Sequence, residues 1–260
     1  MFLEKMTAIK QKEIAILENK YTINDWDIAT SMPKGRAFRA SISSSPFAVI
    51  AEVKPASPSK GVIAADVNPV EQALKYESGG ANVISVLTET EYFHGKPEFL
   101  TKVQSATTIP VLRKDFILHP LQVLESKFLG ADVILLIVAF LQKEECEKLA
   151  NLAHQLGMEV LVEIHEESEI ETALNVGADV IGINNRNLTS LEVDLKTTAR
   201  LRPLLPDTLP IIGESGILSI EDAKTLAAAK INGVLVGEYL MRQSDPAKAI
   251  EELKMAGDQH

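Results

Sequence analysis

Cysteine and aromatic rings are scarce in this 260-residue chain. The one cysteine, Cys146, stands in the charged run KEECEKL, so no internal disulfide can form, and no Cys/His spacing suits a metal. A reducing, cytoplasmic setting is therefore expected. Aromatics make up 5% of the residues, which leaves a core of mainly aliphatic side chains. Long apolar runs are missing as well. The opening MFLEKMTAIKQKEIAILENK carries charges too often for a signal peptide, and no later stretch is long enough for a membrane span. Positive charge is in deficit, 26 Lys and Arg against 36 Asp and Glu, a formal net charge of −10. Such a balance disfavours nucleic acid or an anionic membrane as partner. A small anionic substrate remains compatible, because a local cluster of Lys and Arg overrides the mean field.

What the chain does have is self-similarity. GGANVISVL (79–87), LGADVILLI (129–137) and VGADVIGIN (176–184) nearly repeat, and AKINGVLVG (229–237) is a looser fourth. Their spacing of roughly 50 residues is that of two βα units. A second set of β-branched runs falls between them: PFAVIAEVK (46–54), IPVLRKDF (109–116), MEVLVEIH (158–165) and LPIIGESG (209–216). Interleaved, the two sets give eight strands, and stretches of helical periodicity such as NPVEQALKYESG and KEECEKLANLAHQLG follow most of them. Eight strand–helix units in order imply a parallel sheet, either doubly wound or closed. The fourfold repeat, the count of eight and the lack of a Gly-rich dinucleotide fingerprint favour a (β/α)8 TIM barrel with an N-terminal helical extension. We expect one domain over 1–260, the extension covering 1–46 and the barrel 47–260. Residues 2–18 read as a helix and GRAFRASISSS as a short second one, making the extension either a solubilising tail or a brace on the barrel.

The strands end in charge. In AVIAEVK, Val49, Ala51 and Val53 share one face, and Ala48, Ile50, Glu52 and Lys54 share the other. In a barrel, Glu52 and Lys54 then point inward near the C-terminal rim. The same alternation turns Lys114, Glu163, Asn184 and Glu214 inward. Burying ions costs several kcal/mol each unless they are paired, so a fold built only for stability would place Val or Leu there. Convergent ammonium and carboxylate groups suit acid–base chemistry instead. Gly216 of ESGILS and Gly237 of VLVGEYLM, with Ser215 and Glu238, fall at the two loops where such barrels cradle phosphate. Phe93 and Phe116 lie just past strand ends and suit a wall for a flat ring. The loop PASPSKG (55–61) is polar and basic enough to cover an anionic ligand. His94, His119 and His165 have no ligand spacing and are read as structural or supporting residues, and Cys146 as a helix-face residue.

Together the runs IAEVKPASPSKG, LTETEYFHGKPEFL, VLRKDFIL, VEIHEESE, IGINNRNL, GESGI and VLVGEYLM resemble the indole-3-glycerol phosphate synthase family of tryptophan biosynthesis over roughly residues 46–243. The resemblance implies a carboxy-lyase acting on 1-(2-carboxyphenylamino)-1-deoxyribulose 5-phosphate by ring closure, loss of CO2 and loss of water. It implies no cofactor and no metal. It suggests Lys114 as general acid in ring closure and Glu163 as acid–base group in dehydration, the division of proton transfers among Lys54, Lys114 and Glu163 staying open. Glu52 and Lys54 resemble a coupled pair that tunes the site, and Asn184 a contact near the reacting atoms. Ser57 and Arg186 resemble binders of the substrate carboxylate, and Glu214 and Ser215 of its hydroxyl and phosphate groups. Tyr239 stands where the family often has a small residue, so its side chain would crowd or cover the phosphate loop. Two rivals remain. A phosphoribosylanthranilate isomerase-like barrel would need a Cys–Asp pair, and Cys146 is far from any strand end; a non-catalytic phosphosugar-binding barrel would have lost Lys54, Lys114 and Glu163. The expected partner is a phosphorylated small molecule; nothing in the sequence specifies a homodimer or a contact with another pathway enzyme.

Overall fold

The computed structural model describes residues 2–64 and 66–257. Strand β1 (Ala48–Val53) is followed by a small antiparallel hairpin, β2 (Ala56–Ser57) and β3 (Gly61–Val62). Then come β4 (Val83–Leu87), β5 (Val111–Lys114), β6 (Val133–Ile137), β7 (Glu159–Ile164), β8 (Val180–Asn184), β9 (Ile211–Glu214) and β10 (Gly233–Val236). All but the hairpin pair in parallel, and β10 returns to β1, closing an eight-stranded barrel. The basic stretch 55–61 is thus part of a hairpin, pinned where Ala56 N–H donates to the Phe93 carbonyl (3.1 Å).

Helices α4 (Pro69–Ser78), α5 (Pro97–Ala106), α6 (Pro120–Leu129), α7 (Lys143–Gln155), α8 (Ile170–Asn175), α9 (Lys196–Leu201) and α10 (Ile220–Ala227) cross over between the strands, and the short α11 (Glu238–Met241) and α12 (Pro246–Lys254) follow the last one. Their starts are set locally. Asn68, Ser219 and Asp245 accept first-turn N–H groups, and Pro opens α4, α5, α6 and α12, where a missing N–H costs nothing. His119 caps α6 through Nδ1, a structural post.

The strand faces divide as the alternation requires. Val49, Ala51, Val53, Val160, Val162 and Ile164 pack outward in the shell beneath the helices, whereas Ala48, Ile50, Leu112, Leu161, Val180 and Ile212 pack inside the barrel. The fourfold repeat has a physical cause at the N-terminal ends of the strands. Asn82, Asp132, Asp179 and Asn232 each precede an even strand of the barrel. Their side-chain oxygens accept the N–H of Val49, Val111, Val160 and Ile211, which begin or nearly begin the neighbouring strands (2.8–3.1 Å). Each backbone N–H returns a bond to the carbonyl of that same residue. A strand-end donor with no partner in its own ladder is satisfied this way four times.

The extension contains three helices, α1 (Phe2–Lys20), α2 (Ile23–Ser31) and α3 (Phe38–Ser43). The second is missing from the sequence reading, although the Asp25 carboxylate takes the Thr22 N–H at 2.6 Å, a capping signal present in TINDWD. Phe38 and Ile42 join the barrel-interior cluster, and Ser41 exchanges hydrogen bonds with Asn82, so α3 closes the N-terminal mouth. Helix α1 braces the outside of β5: Lys10 is fully buried, its Nζ 2.6 Å from Asp115 and 2.7 Å from Glu13.

Candidate active site

Every site residue named from the sequence lines one cavity of about 560 Å³ at the C-terminal mouth of the barrel. Its floor is ionic. Lys114, from the inner face of β5, reaches across the barrel to Glu163 on β7 (3.3 Å) and Glu214 on β9 (3.4 Å). Lys54 pairs with Glu52 at 2.9 Å, and its ammonium lies 5.7 Å from the centre of the Phe93 ring. Asn184 Nδ2 donates to Glu163 Oε1 at 2.9 Å while its Oδ1 accepts the Arg186 N–H at 3.0 Å, which fixes the amide's orientation.

Burial and pairing oppose each other on this floor. Burial disfavours the charge on Lys114, but Glu163, Glu214 and Glu52 outweigh it and hold the ammonium well above its usual range. Burial also works against an ionised Glu163, and there Lys114, His165 and Asn184 win, so that carboxyl lies well below its usual range. Glu214 goes the other way. Burial leads, Lys114 opposes it, and the neighbouring Glu163 charge adds to it, so Glu214 is pushed up to about 8. Two carboxyl groups that share one lysine are thereby driven apart, one kept as a base and one able to hold a proton.

Two glycines make room for this arrangement. A Cβ on Gly182, on the inward face of β8, would collide with Glu214 Oε1, and a Cβ on Gly237 would lie 2.5 Å from Glu52 Oε1. The sequence reading takes Gly237 only as a phosphate donor and leaves Gly182 without a reason. At the rim Ser215 and Gly216 both adopt positive φ (65° and 84°), turning the chain sharply after β9. The N–H groups of Gly216 and Gly237 take part in no backbone hydrogen bond among the described residues. Tyr239 does not crowd this loop: it packs outward against the helical shell, and the residues lining the cavity stop at Glu238.

The wall opposite is apolar. Phe93 and Phe116 face each other with ring centres 6.3 Å apart, and Phe140 backs Phe116 at 5.3 Å. Glu89, fully buried, places Phe93 by accepting the N–H groups of Glu91, Tyr92 and Phe93 (2.8–2.9 Å). Leu188, Leu191 and Val193 complete the rim. Arg186 donates through Nη1 to the Leu191 carbonyl (2.8 Å) and forms no ion pair with any described residue, so its remaining donors are available to an anion.

Sequence reasoning missed the supports. Arg113, on the outer face of β5, is buried and bonded to Thr88, Gln122, Ser126, Asp115 and Glu125. Asn185 joins the loops after β8 and β9 by donating to the Glu214 and Ser215 carbonyls and accepting from Thr198. Both lie within motifs the sequence reading used, beside the residue it chose. His94 is an exposed turn residue with φ of 53°. Cys146 is buried in the outer shell on α7, where burial first and Glu147 second push its thiol up to about 12; it takes no part in the cavity. No group of three or more His, Cys, Asp or Glu among the described residues could hold a metal, and no helix among them is long and apolar enough to cross a membrane.

Among solved structures, the chain is similar to thiamine phosphate pyrophosphorylase from Pyrococcus furiosus (16% identity, TM-score 0.64, covering 86% of this chain and 98% of that one). It is also similar to 3-hexulose-6-phosphate synthase from Salmonella typhimurium (14%, 0.66, 82% and 100%). At such identities the likeness establishes the barrel and says nothing of the chemistry. The family model for indole-3-glycerol phosphate synthase matches residues 3–253, the three N-terminal helices included. The chain belongs to the indole-3-glycerol phosphate synthase family, lyase-type enzymes of tryptophan synthesis that act on a phosphorylated small molecule.

Proposed function

We propose that this cavity holds 1-(2-carboxyphenylamino)-1-deoxyribulose 5-phosphate with its phosphate at Ser215, Gly216, Gly237 and Glu238 and its aryl ring against Phe93 and Phe116. The carboxylate lies toward Arg186 and Ser57. One observation carries the reading: Lys114 stands as a single ammonium between Glu163 and Glu214, at the middle of a cavity with a cradle at one end and an apolar wall at the other.

The ketone oxygen gains negative charge as the aromatic carbon attacks. Lys114, held cationic by three carboxylates, stabilises that charge and gives up a proton. The departing CO2 needs no cofactor, because the new ring itself restores its electrons. Glu163, kept ionised, takes the ring proton during dehydration, and Lys54 with its partner Glu52 supplies the second ammonium of the site. Holding one flexible substrate in a ring-closing conformation contributes several kcal/mol more. The extension is part of the same unit in this reading, since Lys10 neutralises Asp115 directly after Lys114.

The test is turnover of that substrate followed by indole fluorescence. Lys114→Ala should lower kcat by about a hundredfold or more, with KM within about tenfold. Lost binding with unimpaired turnover of what still binds would contradict the acid role. Binding of substrate by folded wild type without any product would favour the non-catalytic barrel.

A further inference from the structure

His165 sits behind the site and is not among the residues lining the cavity. Its side chain is 11% exposed, with Nε2 3.2 Å from Glu163 Oε1 and Nδ1 3.5 Å from Glu169 Oε2. Neither contact has hydrogen-bond alignment, so the ring lies between two carboxylates without being locked to either. The backbone fixes its place: Glu169 Oε2 accepts the His165 N–H at 2.6 Å. Glu169 ends the 3-10 turn Glu167–Glu169 and is 9% exposed, at the edge of solvent. The charges facing the ring are Glu163 of β7 and Glu169 of that turn; beyond Glu163 stand Lys114 of β5 and Glu214 of β9. Burial favours a neutral ring, but the two carboxylates outweigh it and raise His165 to about 10, so it is an imidazolium at neutral pH.

The proton balance of the proposed reaction, on which this inference rests, gives that imidazolium a task. The substrate carboxylate enters ionised and leaves as neutral CO2. Ring closure moves one proton from Lys114 to the ketone oxygen. Dehydration is proton-neutral, because the proton that Glu163 takes from the ring makes good the one put on the departing hydroxyl. Each turnover therefore ends with Glu163 ionised and Lys114 one proton short, and that proton must come from solvent.

We propose that Glu169 and His165 return a solvent proton to Lys114 through Glu163, His165 being a positioning residue that acts through Glu163 and not on the substrate. The two oxygens of Glu163 are already divided, Oε1 toward His165 and the Asn184 amide and Oε2 toward Lys114. Once Lys114 is neutral, the charge that kept Glu163 ionised is gone, and Oε1 accepts the Nε2 proton of the imidazolium. A half-turn of the carboxyl group presents that proton to the Lys114 amine, whose surroundings favour the ammonium. The neutral imidazole regains a proton at Nδ1 from solvent by way of Glu169. One proton enters from water and one is consumed in product.

Recharging follows the first turnover, and that separates this role from a structural one. In rapid mixing of full-length enzyme with substrate, His165→Gln should form about one indole product per site near the wild-type rate and then slow by about tenfold or more. Imidazole added to His165→Ala should speed the slow phase and leave the first turnover alone. Glu169→Gln should bring the alkaline limb of the kcat–pH profile down, because His165 loses a carboxylate that keeps it charged. A first turnover slowed as much as the later ones, or no slowing at all, overturns the path. Wild type that makes no indole product refutes the underlying reaction; active wild type with unaltered variants refutes the path alone.

Discussion

Lys10→Met tests whether the N-terminal helices belong to the machinery of the barrel. Lys10 is fully buried, and its ammonium faces Asp115 Oδ1 at 2.6 Å. Methionine fills nearly the same volume, so the change removes charge and little packing. Asp115 is then left buried with Thr88 at 2.6 Å and Arg113 at 3.2 Å on Oδ2, and with only the Phe116 N–H at 2.8 Å on Oδ1. Removing one partner of a buried pair costs about 3–5 kcal/mol, and the surviving contacts place this case near 3 kcal/mol. For a chain of this size that lowers Tm by roughly 6–12 °C. The pH dependence has a definite sign. Burial works against the Asp115 charge, but Lys10 and Arg113 outweigh it and hold the carboxyl below its ordinary value, so its stabilising contribution is present at neutral pH and lost in acid. Without Lys10, burial has the upper hand and Asp115 protonates more readily. The gap between the proteins should be widest near pH 7 and narrow as the pH falls toward the ordinary Asp range. Urea midpoints at several pH values measure this, with Asp115→Asn and the double variant completing a cycle. A loss under about 1 kcal/mol for Lys10→Met, or strictly additive costs, would show that the pair is incidental.

Two further predictions bear on the floor of the cavity. Gly182→Ala should displace Glu214 from its position 3.4 Å from Lys114, lowering kcat at a cost of about 1–3 kcal/mol in stability; unchanged turnover would mean that Glu214 has no fixed post. Glu214 binds its proton more tightly in the folded chain, at about 8, so its contribution to stability is whole below the ordinary Glu value and lost as pH rises through that window. Glu214→Gln should therefore flatten the decline in urea midpoint between about pH 5 and 8, and an equally steep decline in the variant would place the raised proton affinity elsewhere.

Much of this was legible because period-two alternation on a strand is rigid. Once Val49, Ala51 and Val53 face the helices, Glu52 has no direction left but inward. The same logic finds Lys114, Glu163 and Glu214. It fails for residues whose role depends on a distant partner. Arg113 faces outward, where a charge looks like an error until Glu125 of α6 and Asp115 are in place beside it. Lys10 reads as one more polar residue on a charged helix, since its partner lies over a hundred residues away. Glu89 is hidden among the charged letters of TETEYFHG, although its carboxylate is what aims Phe93. Gly182 could have been questioned, because a glycine in mid-strand marks a close approach, but only the fold reveals that Glu214 is what approaches.

The repeat that exposed the barrel also makes a prediction of its own. The fourth letter of each near-copy is Asn or Asp, and in all four quarters that side chain holds the first or second N–H of the strand before it. Asn82 and Asp132 do more, binding α3 and Arg36, so their loss would mix effects. Asn232 is the clean case, with a side chain that serves only Ile211 at 2.8 Å among the described residues. Ile211 is fully buried. Asn232→Ala should therefore cost about 1–3 kcal/mol, the price of a buried donor left unmatched. Asn232→Asp should cost much less, since Asp132 and Asp179 hold the same bond in other quarters. Equal losses for the two variants in urea unfolding would mean that the repeat preserves the shape of a turn; a wide difference would mean that it preserves a hydrogen bond, and that four copies of one bond set the register on which the inward charges depend.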